Sequence, residues 1–421
     1  MALSFFLKCL RRPFFWSIIR PLVCLYVSKE RNRLFTLWVE FLCWVFKEAW
    51  KREKPVIWTN SFFPVEFIYG LGAIPFLPEI FAALVAYFDW TRGPISKGSL
   101  KTSTDLCSFY RCALGLEEYG VMPKPDLIIS CSQICDGTKA FYQTMSESLG
   151  IPHLFVDVPF RKDENAKRYL KSQLEEIFHE AKNILGLKTS LEDLRKSYDM
   201  AKRTESLMRE IAHLRKSKPA PFPGSEGMSY VSGMSFWSLG SERGLRFFEA
   251  LKERIEKSVK ERRGYLKEER FRVLWLHHIR PYYPNPIMEF LKEKGVAIAY
   301  EEANYPWWPE RGGEEEDPLE DLTKKLLSNP WYGPIEGRLK LVRDLVLEYQ
   351  IDGVIHFSHW GCRQSTGGAS IVGDMVKSMG IPYLILPGDG ADPDNYSPGQ
   401  TLTRLQAFIE LMERRWRFTR E

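Results

Sequence analysis

The chain has 421 residues, 44% of them hydrophobic and 27% charged, with a net charge of +5 from 59 basic and 54 acidic residues. That length and apolar content support sizeable cores and exclude a disordered chain, and the near balance of charge, without a basic stripe, speaks against a nucleic-acid partner. Eight cysteines in a chain of this size, with no cleavable leader, read as thiols of a reducing cytoplasm and not as a disulfide framework.

Residues 1–50 read as an N-terminal helical extension. Lys8, Arg11, Arg12, Pro13, Arg20 and Pro21 interrupt its apolar runs before the roughly 20 residues of a membrane span. The first 30 residues are expected to pack on the body or on a partner subunit, with amphipathic membrane contact as the lesser alternative, and the aromatic-rich stretch from Phe35 to Trp50 needs a surface to bury against, at an interface or as a domain cap. Cys9, Cys24 and Cys43 sit among these apolar residues and read as buried thiols.

A first α/β unit follows over 51–215. Short strands are expected from Val56 to Thr59, within GLGAIP (70–75), from Leu127 to Ser130 and from Leu154 to Val158, with a helix over Pro78 to Tyr87. Two charged helices close the unit, Glu164 to Leu185 and, after a Thr189/Glu192 capping box, Glu192 to Arg215. The Pro- and Gly-rich stretch KSKPAPFPGSEG (216–227) reads as a linker. A second unit occupies 228–421, with a helix from Glu242 to Arg263 and strands at Arg272 to Leu276, Val296 to Tyr300, Val354 to Phe357 and Tyr383 to Leu386. Between its second and third strands lies an insertion dense in Trp, Tyr and Pro, a composition that shapes pockets or subunit contacts.

The two units repeat one pattern. Asp126 to Pro152 runs Asp, apolar strand, polar loop, Cys, helix, Gly-Ile-Pro, and the same order returns from Asp352 to Pro382. The expected fold is therefore α/β, with two pseudo-symmetric domains of Rossmann or flavodoxin-like parallel sheets flanked by helices. Such sheets hold ligands at the C-terminal ends of their strands, which places Cys135 and Cys362 at one shared cleft.

Cys107, Cys112, Cys131, Cys135 and Cys362 all fall in loops gathered at that edge. Helix N-termini stabilise thiolates. Spacing leaves three readings open: an iron–sulfur cluster, a zinc site, or buried structural thiols. His277, His278, His356 and His359 close strands of the second unit and are expected to face the same cleft, to move protons or to hydrogen-bond loop backbone. Ser365, Thr366, Gly367 and Gly368 open a helix that can receive an anion, and Asp389, Asp392 and Asp394 suit ordinary turns or a hard cation.

From about Lys54 onward the chain resembles the family of 2-hydroxyacyl-CoA dehydratase and benzoyl-CoA reductase subunits. The resemblance is carried by FFPVEFIYGLGAIPF, CSFYRCALGL, PDLIISCSQICDGTKAF with GIPHLFVDVPF, HWGCRQSTGG, and DPDNYSPGQTLTRLQAFIE. It implies three cysteine ligands of a [4Fe–4S] cluster, carried onto Cys107, Cys135 and Cys362. It also implies one-electron chemistry on an acyl-CoA thioester through a ketyl radical, for dehydration or reduction. The implied partners are a homologous second subunit, or a second copy of the chain, and an ATP-hydrolysing iron–sulfur activator, so that ATP acts only through the activator. Cys112 and Cys131 exceed the implied set and bring in the related double-cubane cluster proteins, which are ATP-dependent reductases of small molecules. A noncatalytic scaffold or electron-relay subunit is the third reading.

Overall fold

The computed structural model describes residues 11–14, 16, 33–308 and 317–418. Two four-stranded parallel sheets form its frame. The first contains β1 (Val56–Trp58), β2 (Ile74–Phe76), β3 (Leu127–Cys131) and β4 (His153–Val156) in the order β2-β1-β3-β4. The second contains β5 (Phe271–Leu276), β6 (Val296–Glu301), β7 (Gly353–His359) and β8 (Tyr383–Gly388) in the matching order β6-β5-β7-β8. The repeat read from the sequence is thus a repeat of topology, and three of the four central strands, β3, β5 and β7, end at cysteine- or histidine-bearing loops.

Both faces of each sheet are covered, so strand residues alternate between two cores without exposing either. Val56, Trp58 and Ile128 pack into one core of the first sheet, whereas Ile57, Leu127, Ile129 and Cys131 pack into the other. In the second sheet Trp275, Ile355 and Phe357 face one core and Leu274, Leu276 and Val354 the opposite one. This two-residue period decides which thiols and imidazoles meet.

Helices lock the halves together. The Glu164–Leu185 helix has the expected bounds, but the capping box lies one residue further along, between Ser190 and Asp193, and starts the Leu191–Leu214 helix. Thr189 instead donates its hydroxyl to the Leu71 carbonyl. Just past that helix, Arg215 makes a two-pronged pair with Glu301 at 2.5 and 2.7 Å. Lys325, on the Pro318–Leu327 helix of the insertion, binds both Glu66 at 2.6 Å and Glu205 at 2.8 Å. Removing one partner of such a buried pair costs about 3–5 kcal/mol, so these contacts hold the insertion and the second sheet against the first.

The Arg33–Lys51 helix packs onto the body through Leu34, Phe41, Leu42, Val45, Phe46 and Ala49. Cys43 is buried on it, while Cys9 and Cys24 lie outside the described residues. No helix among the described residues is long and apolar enough to cross a membrane.

Candidate active site

Cys107, Cys135 and Cys362 occupy equivalent places: each is the residue that precedes a helix, at Ser108–Glu118, Asp136–Leu149 and Arg363–Gly367. Backbone N–H groups of the first turn face each sulfur, from Phe109 to Cys107, from Gly137 and Thr138 to Cys135, and from Gln364 and Ser365 to Cys362. Such N–H groups, with the positive end of the helix, favour a sulfur that carries negative charge. Burial works the other way and pushes all three thiols up, Cys362 to about 12, and mutual repulsion among the three raises Cys107 further. Three sulfurs that bind N–H groups yet resist ionising together are a donor set that wants a cationic centre.

The two halves meet at this point because of one glycine. Gly361 has φ +75°, and a methyl group there would stand 2.9 Å from the Asp105 carbonyl oxygen and from the Cys107 amide nitrogen. Only a residue without a side chain lets the Cys362 loop lie against the Cys107 loop.

Two histidines close behind the sulfurs in the same way. His359 Nδ1 accepts the Gly390 N–H at 3.0 Å, which leaves the proton on Nε2, and Nε2 lies 3.2 Å from Cys107 Sγ. His277 Nδ1 accepts the Ile279 N–H at 3.2 Å, and its Nε2 lies 3.5 Å from Cys362 Sγ. Each imidazole is thereby a neutral donor aimed at a sulfur. Burial lowers the pKa of both, in keeping with the neutral form. His277 adopts φ 97°, a conformation costly for a side chain that bulky. Its N–H donates to Glu302 at 2.6 Å, and Glu302 is held in turn by Arg338 through two contacts of 2.9 Å and by Trp331 at 2.6 Å. Burial alone would raise the Glu302 carboxyl, but the Arg338 guanidinium overcomes it and holds the group down at about 2.

All three cysteines open onto one cavity of about 450 Å³. Its walls are mostly apolar, with Phe35, Trp38 and Phe41 of the Arg33–Lys51 helix on one side and Phe62, Tyr230 and Phe236 on another. Within it Glu79 accepts hydrogen bonds from the Ser61 N–H at 2.7 Å, the Ser61 hydroxyl at 2.9 Å and the Tyr142 hydroxyl at 2.9 Å. Burial outweighs these bonds and raises its pKa, which favours the protonated carboxyl. His278 also lines the cavity, stacked edge-on against Trp331 at 4.3 Å, with no hydrogen-bond partner on either ring nitrogen. Its pKa falls to about 4 through burial.

A family model of the 2-hydroxyglutaryl-CoA dehydratase D-component matches residues 60–412. The chain belongs to that family. It is 25% identical to the (R)-phenyllactyl-CoA dehydratase alpha subunit of Clostridium sporogenes over 87% of this chain and 91% of that protein. Identity to the lactoyl-CoA dehydratase alpha subunit of Anaerotignum propionicum is 24%, over 87% of this chain and 93% of the relative. A benzoyl-CoA reductase subunit of Thauera aromatica is 21% identical, over 74% of this chain and 78% of its own. Membership makes the chain a subunit of the dehydratase and reductase class. The Arg33–Lys51 helix lies before the matched residues yet walls the cavity.

Against this family background the other expected site residues fall elsewhere. Cys112 is five residues past Cys107 on a helix, a turn of about 140°, and it is buried near Arg111 and Asp392. Cys131 faces the opposite core of the first sheet, where Asn60 and the Gln133 carbonyl bracket its sulfur, and burial pushes the thiol up to about 12. Neither lines the cavity. His356 does not face the cleft as expected: it lies three residues before His359 in an extended strand, hence on the other side, with Nδ1 2.5 Å from the Tyr383 hydroxyl. The Ser365 hydroxyl is taken by the Phe357 carbonyl at 3.0 Å, Thr366 pairs with Ser358 at 3.3 Å, and neither they nor Gly367 reach the cavity. Asp389 accepts the N–H groups of Ala391 and Asp392, each at 2.9 Å, as a turn residue does. Asp392 and Asp394 pair with Arg111 and Arg92. No group of three His, Cys, Asp or Glu side chains among the described residues is spaced for a single metal ion.

Proposed function

We propose that this chain is the iron–sulfur subunit of a 2-hydroxyacyl-CoA dehydratase or benzoyl-CoA reductase type enzyme, acting on an acyl-CoA thioester in the cavity. The observation that carries the reading is the convergence of three thiols, each at a helix N-terminus, on one apolar cavity. Cys107, Cys135 and Cys362 would hold one [4Fe–4S] cluster. When bound, that cluster supplies a single low-potential electron and an open iron that is a Lewis acid.

The chain's own residues do the rest. His277 and His359 donate N–H groups to two of the sulfurs and fix their direction. The aromatic walls exclude water from the reacting carbons, which strengthens each polar contact inside. Glu79 holds a proton beside the sulfurs and exchanges it with the substrate, oriented by Ser61 and Tyr142. His278 offers a ring N–H to a thioester or hydroxyl oxygen. A homologous partner subunit and an ATP-dependent activator complete the enzyme in this reading, as the alpha-subunit names of the relatives suggest. The double-cubane alternative loses support from the burial of Cys112 and Cys131 away from the cavity.

Anaerobic purification tests this. The expected protein is brown, binds about four irons per chain, and loses most of that iron as Cys107→Ser, Cys135→Ser or Cys362→Ser. Colourless protein holding stoichiometric zinc under strict anaerobiosis would overturn it.

A further inference from the structure

Arg280 stands on the loop after β5 and lines the cavity, yet its side chain is 9% exposed. Nη2 donates to the Ser229 hydroxyl at 2.6 Å and Nη1 to the Pro281 carbonyl at 3.2 Å, while Nε has no partner. The titratable groups that bear on it are the phenols of Tyr282, whose ring centre lies 5.4 Å from the guanidinium carbon, and Tyr87, and among the described residues no carboxylate pairs with it. The other buried cations among the described residues all have one: Arg111 with Asp392, Arg215 with Glu301, Arg272 with Glu269, Lys325 with Glu66 and Glu205, and Arg338 with Glu302. Glu226, which shares the cavity, is already held by Arg254 at 2.6 and 2.9 Å and by the Tyr230 hydroxyl. A guanidinium out of water without a counter-charge is costly, and completing it with an anion recovers that cost.

The loop is built to keep Arg280 in place. The Trp275 indole N–H donates to the Ile279 carbonyl at 3.1 Å, the Tyr282 N–H to the Gly390 carbonyl at 2.9 Å, and the Tyr283 hydroxyl to the Asp389 carbonyl at 3.0 Å. Those bonds flank Arg280 on both sides.

We propose that Arg280 is an oxyanion receptor, which pairs with a carboxylate or phosphate oxygen brought into the cavity by the substrate. The free Nε and the neighbouring Nη2 form the edge on which guanidinium groups take two oxygens at once. The identity of the carrier rests on the acyl-CoA reading above, whereas the anion site rests on Arg280 alone. Two parts of a CoA thioester offer this chemistry, a terminal carboxylate on the acyl group and the phosphates of the CoA.

Calorimetric titration of the full chain, purified anaerobically, separates them. The probes are glutarate, inorganic pyrophosphate, CoA, glutaryl-CoA, butyryl-CoA and glutaryl-pantetheine, against wild type, Arg280→Gln and Arg280→Lys. Arg280→Gln should weaken the cognate probes at least about tenfold, the scale of losing one partner of a buried charge pair, and Arg280→Lys should fall between. If the acyl carboxylate is the ligand, glutaryl-CoA, glutaryl-pantetheine and glutarate weaken and butyryl-CoA does not. If the CoA phosphates are, CoA, pyrophosphate and both CoA thioesters weaken and glutaryl-pantetheine does not. Affinities within twofold of wild type for all probes in both variants, or a wild type that binds none of them, overturns the proposal. Anion binding that depends on Arg280 in a protein without iron or turnover keeps this site and sinks the enzymatic reading, and turnover indifferent to Arg280 does the reverse.

Discussion

His359 and Cys107 lie 252 positions apart in the chain, and their side chains meet at 3.2 Å with the imidazole proton directed at the sulfur. His277 repeats the arrangement at Cys362. An N–H···S bond stabilises a sulfur most when the attached centre is most negative, so removing it disfavours reduction. His359→Ala and His277→Ala should each retain iron and lower the midpoint potential by on the order of 40 mV, from about 1 kcal/mol per hydrogen bond in a one-electron couple. A redox titration followed by electron paramagnetic resonance reads this, and an unchanged or higher midpoint in both variants would contradict the assignment.

Glu79→Gln should leave iron content and thioester affinity in place while turnover falls by roughly 100-fold, the scale for a lost acid–base group. Because burial raises the Glu79 pKa, the wild-type rate should carry a limb from that group above the ordinary carboxylate range. The glutamine variant should lose the limb. A pH–rate profile of unchanged shape in the variant would return Glu79 to a purely structural role.

His356 separates position from chemistry. Its pKa falls to about 4 from 6.5 through burial, so its stabilising contribution is present above pH 6.5 and is lost as pH falls toward 4. His356→Ala should leave iron and turnover within a few-fold of wild type, lower stability by about 2 kcal/mol and flatten the loss of stability over that pH window. Denaturant unfolding at pH 7 and pH 5 measures both effects, and a hundredfold loss of turnover in folded, iron-loaded variant would restore a catalytic role.

Glu302→Gln should be more harmful than its distance from the substrate suggests. The carboxyl sits at about 2 against an ordinary 4.5, so its contribution is full above pH 4.5 and is lost as pH falls through 2. The substitution leaves Arg338 buried without its charge partner, at a cost of about 3–5 kcal/mol, and frees the strained His277 backbone. Loss of stability should be accompanied by a shift of the cluster signal, since His277 carries the bond to Cys362. A variant with wild-type unfolding midpoint would rule out this hub.

Much of this was readable in the residues. The repeat from Asp126 and Asp352 pointed to both sheets, because parallel strands with buried faces leave apolar runs between polar loops. The meeting of Cys135 and Cys362 followed from their places in strand-to-helix loops, whereas Cys107 was set apart from Cys112 and Cys131 only by the family resemblance. The choice among neighbours did not. Cys131 and His356 carry the right chemistry with the wrong strand parity, and β7 runs on to His359, two residues past its expected end, which hid the alternation that separates the two histidines. Glu79 resembled any acidic residue in a first helical turn, and only the meeting of Ser61 and Tyr142 around it reveals the carboxyl as special. Arg280 gave no signal, since an unpaired cation is defined by what fails to fold against it.

The contact that Gly361 permits has a bearing on how the protein is made. On the ribosome, Cys107 and Cys135 emerge long before Cys362, and until the second sheet docks they are two thiols at the edge of an unfinished half. Neither copy of the repeat can therefore assemble the three-thiol pocket alone, and metal offered too early meets an incomplete ligand set. If these thiols hold the proposed cluster, its maturation would wait for the second sheet, and iron content would report on whether the whole chain has folded.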